Sequence, residues 1–149
     1  MPRNYIADSS ALVALLSRND RHRDWVAAQA DTLPWPWFTC HAALTEAFFL
    51  LGKMGAPRLK DLLRHGAVVL SFDLGDQLAP VLDLMDKYAD VPMSLSDSCL
   101  VRMCETLPDP VVLTTDADFK IYRATAAKSC PARCREYFKL GHARSMIRP

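Results

Sequence analysis

An α/β domain on a mainly parallel sheet is the fold class this sequence predicts, and three observations predict it. Short β-type apolar runs alternate with longer runs of helical period from residue 5 to residue 115. The chain has 149 residues, half of them apolar, which suits one domain with a proper core and argues against disorder throughout. Two of the apolar runs stop at an aspartate, Asp8 and Asp116, and in parallel sheets the functional crevice lies beyond the carboxyl ends of the strands.

Each element follows in order. Residues 5–7 make a short apolar entry strand. Ser9 or Ser10 can cap a helix reaching about residue 18, because a serine oxygen accepts from an orphan amide of the first turn. A second helix is expected over 21–30. The stretch Trp35-Pro36-Trp37 cannot lie inside a helix, since proline lacks the amide donor and clashes with the preceding turn. A short strand at 37–39 then leads into a strongly apolar helix at about 42–53. Pro57 suits the first turn of another helix, reaching about residue 65. Residues 68–72 read as a buried strand, and 77–88 as a helix with Leu78, Val81, Leu82 and Met85 on one side. Ser94 begins the next helix, through residue 105, and 111–115 is the next strand.

Composition narrows the function classes. Charged residues make up 23%, an ordinary share for a soluble domain. The longest unbroken apolar runs, 11–16 and 47–51, fall far short of the roughly 20 residues a membrane span needs, so no membrane role is expected. No secretory signal is evident behind Arg3. The five cysteines include no C-x-x-C pair, and Cys130 and Cys134 have the wrong spacing for a zinc knuckle, so reduced thiols in a cytoplasmic protein are expected. The formal net charge of +1 hides an asymmetry: residues 1–118 hold 10 Lys/Arg against 16 Asp/Glu, a net of −6, while 119–149 hold 8 against 1, a net of +7. An acidic body with a basic tail fits a metal site in one place and phosphate attraction in another; a plain solvated tail fits as well.

Four carboxylates carry the chemistry. Glu46 has Ala42, Ala43, Phe49 and Leu50 as its helical neighbours, and a carboxylate on an apolar face is costly without a metal or an arginine beside it. Asp97 lies in Ser94-Leu95-Ser96-Asp97, which resembles a capping box, although the apolar Leu100 and Val101 ahead of it suggest an inward side chain. Asp8 alone could cap the first helix, and Asp116 and Asp118 alone could make a loop turn. The case rests on four acids reaching one place, two at strand ends and two on helices packed beside those strands. Magnesium takes oxygen ligands, usually few carboxylates plus waters and substrate phosphate, and can activate water and steady a leaving oxygen. Without a cation such carboxylates repel and titrate together. Ser9 or Ser10 and Thr114 are placed to supply hydrogen bonds that orient them.

These residues resemble the PIN-domain family, above all its VapC-type toxins, over residues 5–123. Ile6-Ala7-Asp8-Ser9-Ser10 is similar to the family's first acidic motif and Leu44-Thr45-Glu46-Ala47 to the second. The third is matched by Lys87-Tyr88-Ala89-Asp90 with Ser94-Leu95-Ser96-Asp97-Ser98, and the fourth by Leu113-Thr114-Thr115-Asp116-Ala117-Asp118-Phe119 with Tyr122-Arg123. Each motif is short; their order and spacing together are specific. The resemblance implies a three-layer α/β/α fold and a cytoplasmic endoribonuclease using Mg2+ or Mn2+, which hydrolyses RNA with metal-activated water to leave 5′-phosphate and 3′-hydroxyl ends. It implies Asp8 and Asp97 as principal ligands, Glu46 and Asp116 completing the site, and Asp118 as an auxiliary. It also implies a homodimer and a cognate antitoxin protein that occludes the acids.

Two departures stand out. Ser98 replaces the alanine common in relatives, and residues 124–149 show no β-pattern where the family has a last strand. The chain is therefore divided into a PIN-like domain, 1–123, and an atypical basic tail, 124–149. Codons exist for 123–131 in which another frame reads Arg-Asn-Gly-Arg-Lys-Val-Met-Pro, as a PIN terminus would, and a frameshift is our hypothesis for the tail, decided by the gene sequence. A haloacid-dehalogenase-like phosphatase would want a second Asp two residues after Asp8, where Ser10 stands. A catalytically silent PIN-like module acting through protein or RNA partners is the other rival, although none of the four acids is missing. The histidines have no zinc-ligand spacing, and Trp25, Trp35 and Trp37 are expected to pack rather than stack on bases.

Overall fold

The computed structural model describes residues 2–120, 122 and 132–133. Its first strand, β1 (Asn4–Ala7), has side chains that alternate between two apolar layers, which is what a central strand covered on both faces requires. On one side β1 pairs in parallel with β2 (Trp37–Thr39), with Ile6 opposite Phe38. On the other it pairs in parallel with β4 (Pro110–Leu113), with Tyr5 opposite Val111 and Ala7 opposite Leu113. The edges are β3 (Val68–Leu70) and β5 (Ala132–Arg133), giving a parallel sheet in the order β3-β2-β1-β4-β5. The strands advance outward from β1 to β3, then the chain crosses back to place β4 on the other side of β1. The order reverses between β1 and β4, so the carboxyl ends of those two strands border the crevice where open α/β sheets bind ligands.

Helices cover both faces. On one face α1 (Ser9–Leu16), α2 (Arg23–Thr32) and α3 (His41–Arg64) pack on Tyr5, Ala7, Trp37, Val111 and Leu113. On the other, α4 (Leu78–Lys87) and α5 (Leu95–Thr106) close over Ile6 and Val112. The three-layer α/β/α architecture is as expected from the sequence. Fully buried Ile6, Leu12, Leu59 and Leu100 each contribute about 1.5–3 kcal/mol of apolar transfer. Trp37 is wholly buried with Trp35 stacked on it at 4.2 Å, the packing role expected of the pair.

Several local expectations need correction. The two helices expected at 42–53 and 57–65 are one element, α3, broken by a kink at Gly52 (φ 59°, ψ −159°). That conformation is open to glycine without steric cost, and it places the break five residues before Pro57. On α4 the core takes Val81 and Leu84, while Leu78 and Leu82 are each 47% exposed, so the apolar face is rotated from the one expected. The strand expected over 68–72 stops at Leu70, and the one expected over 111–115 runs Pro110–Leu113. Ala132–Arg133, inside the segment expected to lack a β-pattern, pairs in parallel with Val112 and Leu113 and supplies an edge strand. The rest of the basic tail, 124–149, and the segment of the frameshift hypothesis lie outside the described residues. Among the described residues no helix is long and apolar enough to cross a membrane.

Candidate metal centre

Asp8 is the first residue past β1 and occupies the N-cap position of α1, yet its carboxylate makes no capping bond to that helix. Its amide donates to the Leu113 carbonyl at 3.0 Å, which ties the ends of β1 and β4 together. The side chain is 4% exposed and turned into a group of hydroxyls. Ser10 Oγ and Thr114 Oγ1 each donate to Asp8 Oδ2 at 2.8 Å. Both hydroxyls are themselves aimed by backbone amides: Thr115 N–H donates to Ser10 Oγ at 3.0 Å, and Asp116 N–H donates to Thr114 Oγ1 at 2.9 Å. The turn after β4 thus points two O–H groups at one carboxylate oxygen. Simple capping by Asp8 does not account for this arrangement.

Ser9 links the second acid. Its Oγ donates to Glu46 Oε2 at 2.8 Å and lies 3.3 Å from Asp8 Oδ1. One hydroxyl proton cannot serve both at full strength, so the shorter contact to Glu46 takes it. Glu46 stands on the first half of α3 and is partly buried. Its helical neighbours are not all buried, contrary to expectation: Ala43 is buried and Ala42 partly so, but Phe49 is 85% and Leu50 61% exposed. Glu46 is held inward by α1 and Ser9, not by an apolar face on all sides.

Asp97 performs the capping that its sequence suggested. Ser94 Oγ accepts from the Asp97 amide at 3.0 Å and Asp97 Oδ2 accepts from the Ser94 amide at 3.1 Å, a complete capping box for α5. Tyr122 Oη also donates to Asp97 Oδ2, at 3.2 Å. Oδ1 has no hydrogen-bond partner among the described residues and remains available to a ligand.

Two of the carboxyls, Asp8 and Asp97, are shifted by their surroundings. Burial pushes the Asp8 carboxyl up to about 6; the Ser10 and Thr114 hydroxyls pull it back and the Asp97 carboxylate raises it further. Asp97 is raised as well, first by burial, with the Ser94 cap opposing and the Asp116 carboxylate adding to the rise. Asp8 therefore feels Asp97, and Asp97 feels Asp116. Among the described residues no ion pair reaches Asp8, Glu46 or Asp97. Asp8 and Asp116 thus lie past the ends of β1 and β4, Asp97 lies near both, and Glu46 is joined to Asp8 through Ser9. Of the auxiliary positions, Ser9 and Thr114 make the contacts above, whereas the side chain of Asp118 lies outside the described residues.

The sequence pairs Ser94 with Asp97 through the capping-box spacing, gives Tyr122 no contact, and leaves Ser10 as an alternative to Ser9. The S-x-x-D spacing that marks a capping box already contained the Ser94 contact. Tyr122 figures only in the fourth motif, and no local pattern predicts its contact with Asp97, 25 residues away. An open groove of about 350 Å³ between α1 and α3, lined by Leu16, Arg18, Leu50, Leu51, Met54 and Arg58, lies at the far end of α1 from Ser9 and contains none of the acids.

The donor set is all carboxylate and hydroxyl oxygen, which suits a hard divalent cation such as magnesium. Among the described residues no three acid, histidine or cysteine side chains close around a single point. Magnesium commonly takes only one or two protein carboxylates and keeps waters and substrate phosphate for the rest. No protein-family model matches the chain, and no curated protein matches it in sequence.

Proposed function

We propose that this chain is a magnesium-dependent endoribonuclease of the PIN-domain type, the toxin of a toxin–antitoxin pair, with Asp8 and Asp97 as principal metal ligands and Glu46 and Asp116 completing the site. One observation carries the reading. A carboxylate buried to 4% exposure at the strand-order reversal is surrounded by hydroxyl donors and other acids, with no cation beside it among the described residues. Such a group is strained unless a cation arrives. Magnesium, with manganese as an alternative, supplies a Lewis acid for phosphodiester oxygens and lowers the pKa of water when bound.

The residues then divide the work. Ser10 and Thr114 hold Asp8 Oδ2 and leave Oδ1 turned toward Ser9 and Glu46. The α5 cap and Tyr122 fix Asp97 Oδ2 and leave Oδ1 for a ligand. Glu46, held by Ser9, is placed to orient water or take a proton from it. RNA is the substrate in this reading; the net +7 of residues 119–149 supports attraction to a phosphate chain. Exposed Phe49, Leu50 and Met54 beside the α1–α3 groove support a protein partner, the antitoxin or a second copy of the chain. A cytoplasmic location is part of the same proposal.

The test is cleavage of a mixed RNA pool by the purified chain, with Mg2+ and with EDTA, beside Asp97→Asn. The asparagine can still accept from the Ser94 amide, so the variant keeps its helix cap while losing the charge. Discrete metal-dependent cuts that drop at least about a hundredfold in the variant are expected, beyond what loss of an orienting hydrogen bond alone costs. Equal cutting by the variant, or cutting that survives EDTA, refutes the site.

A further inference from the structure

Beside Asp97 lies an aromatic cluster of which one ring reaches the surface. Phe119 and Tyr122 pack edge to face at 5.3 Å, and Tyr122 meets Tyr88 in the same way at 5.4 Å. Phe119 and Tyr122 are 1% and 0% exposed, so neither offers a face to a ligand; Tyr88 is half-buried and does. Tyr88 closes α4: its amide donates to the Leu84 carbonyl at 3.1 Å, and its carbonyl accepts from the Val91 amide at 2.9 Å. Its ring packs against the apolar cluster that includes Val81, Leu84 and Leu100. Over the ring stands the Lys87 ammonium, 5.3 Å from the centroid. Lys87 is exposed and has no ion pair among the described residues, so the face it covers looks outward.

We propose that Tyr88 is a nucleobase subsite of the acid centre: an unpaired base of a single-stranded RNA stacks on the outer face of its ring in place of the Lys87 ammonium. The proposal rests on the reading of the acids as a nuclease site. Position is its first support. Only Tyr122 separates the ring from Asp97, since the Tyr122 hydroxyl donates to Asp97 Oδ2 at 3.2 Å while its ring touches Tyr88. A base on Tyr88 therefore belongs to a nucleotide beside the bond held at the acids. Preorganisation is the second support. The Tyr88 backbone is bonded on both sides and its ring is wedged against Tyr122 and the core, so little side-chain freedom is lost on binding. The exchange also runs in the right direction, because an exposed lysine resting on a ring is a weaker contact than a stacked base.

Charge decides what the subsite grips. From residue 77 to residue 94 Lys87 is the only Lys or Arg, and Asp83, Asp86 and Asp90 flank it in sequence, all exposed. A phosphate would meet that surplus of carboxylates, whereas a base brings a neutral π-face. The contact is therefore to the base and not to the backbone. Tyr88 accordingly contributes affinity that barely depends on salt, unlike a phosphate contact. Every base has a π-face, so the subsite accepts all four, and a purine covers more of the ring than a pyrimidine does.

The experiment places 2-aminopurine at each position in turn of a short single-stranded RNA and titrates it with full-chain Glu46→Gln in Mg2+, which should bind without cutting. Fluorescence reports stacking and affinity together, and quenching at one position is expected. In the same background Tyr88→Phe should keep the quenching and bind within about twofold of its parent. Tyr88→Leu, which keeps an apolar side chain on the core, should lose the quenching and at least about fivefold in affinity, with the salt dependence of binding unchanged. Lys87→Ala should keep the quenching, since the base displaces that side chain. An abasic residue at the quenched position, bound to the intact ring, should weaken binding as much as Tyr88→Leu does, which separates lost stacking from misfolding. Quenching that survives in Tyr88→Leu, an equal loss in Tyr88→Phe, equal binding of abasic and intact RNA, or no binding of any of these RNAs overturns the subsite. RNA that binds and stacks but is not cut by the unsubstituted chain in Mg2+ counts against the nuclease reading alone and leaves the stacking site standing.

Discussion

Replacing Asp8 by asparagine should make the metal-free protein more stable at neutral pH while abolishing its response to magnesium. The carboxyl is pushed up to about 6 from an ordinary 3.8. At about 1.4 kcal/mol per pH unit, that gap is about 3 kcal/mol by which the folded state disfavours the ionised form. The sign follows from proton counts. Between pH 3.8 and about 6 the folded chain holds a proton on Asp8 that the unfolded chain has lost, so stability falls as pH rises through that window and stays low above it. Asparagine is nearly the same size, carries no charge, and its carbonyl oxygen can still accept from Ser10 and Thr114, as Oδ2 does. The variant should therefore gain up to about 3 kcal/mol at pH 7.5, or an upper limit of about 6–12 °C in Tm for a domain of this size. At pH 4 the gain should vanish, because the parent is then neutral too. Thermal unfolding at both pH values in EDTA, repeated with 10-fold steps of Mg2+, reads the whole argument. Asp8→Asn that loses stability equally at both pH values would show Asp8 to be a structural residue and refute the view of it as a carboxylate awaiting a cation.

Three further outcomes follow from the same geometry. Mg2+ affinity should weaken as pH drops through about 6, approaching tenfold per pH unit below it, because the proton and the metal compete for Asp8; calorimetry at pH 7.5, 6.5 and 5.5 checks this, and a flat profile contradicts it. Thr114→Val removes the donor to Asp8 and the acceptor for the Asp116 amide, and should cost about 1–3 kcal/mol in chemical denaturation, while Thr114→Ser should cost less than about 1 kcal/mol. Glu46→Gln retains an acceptor for Ser9 on a partly exposed position, so stability should change by no more than about 0.5 kcal/mol, with RNA cleavage lost at the same time; a large drop in Tm would instead mark Glu46 as part of the folding core.

The parallel sheet and the acid positions were legible because they are local. The apolar run before Asp8 is a strand ending at Ala7, the run before Asp116 contains a strand that stops three residues short of it at Leu113, and the Ser94–Asp97 spacing is a helix start by itself. The failures arose where packing, not local pattern, decides. Leu78 and Leu82 share a helical face with Val81 and Met85 in period, but the sheet selects Val81 and Leu84, and periodicity does not fix that rotation. Phe49 and Leu50 are apolar yet exposed, since hydrophobic residues are not obliged to be inside. The kink at Gly52 depends on a positive φ that a glycine permits without announcing.

For Asp97 the sequence posed an alternative whose two readings are compatible. Read from its neighbours, it was either a helix cap or a member of the acid site. The structure shows the cap on one oxygen: Oδ2 accepts from the Ser94 amide and from Tyr122, and no hydrogen bond among the described residues uses Oδ1, which the proposed site would use. A carboxylate anchored through one oxygen has its rotamer fixed before any ligand arrives, so less side-chain entropy is lost on binding than by a free surface acid. Asp8 is anchored in the same way, with Ser10 and Thr114 on Oδ2. The hydrogen bonds that look like purely structural contacts are thus the means by which two mutually repelling carboxylates are kept in place without a cation, and their removal should weaken metal binding even where the fold survives.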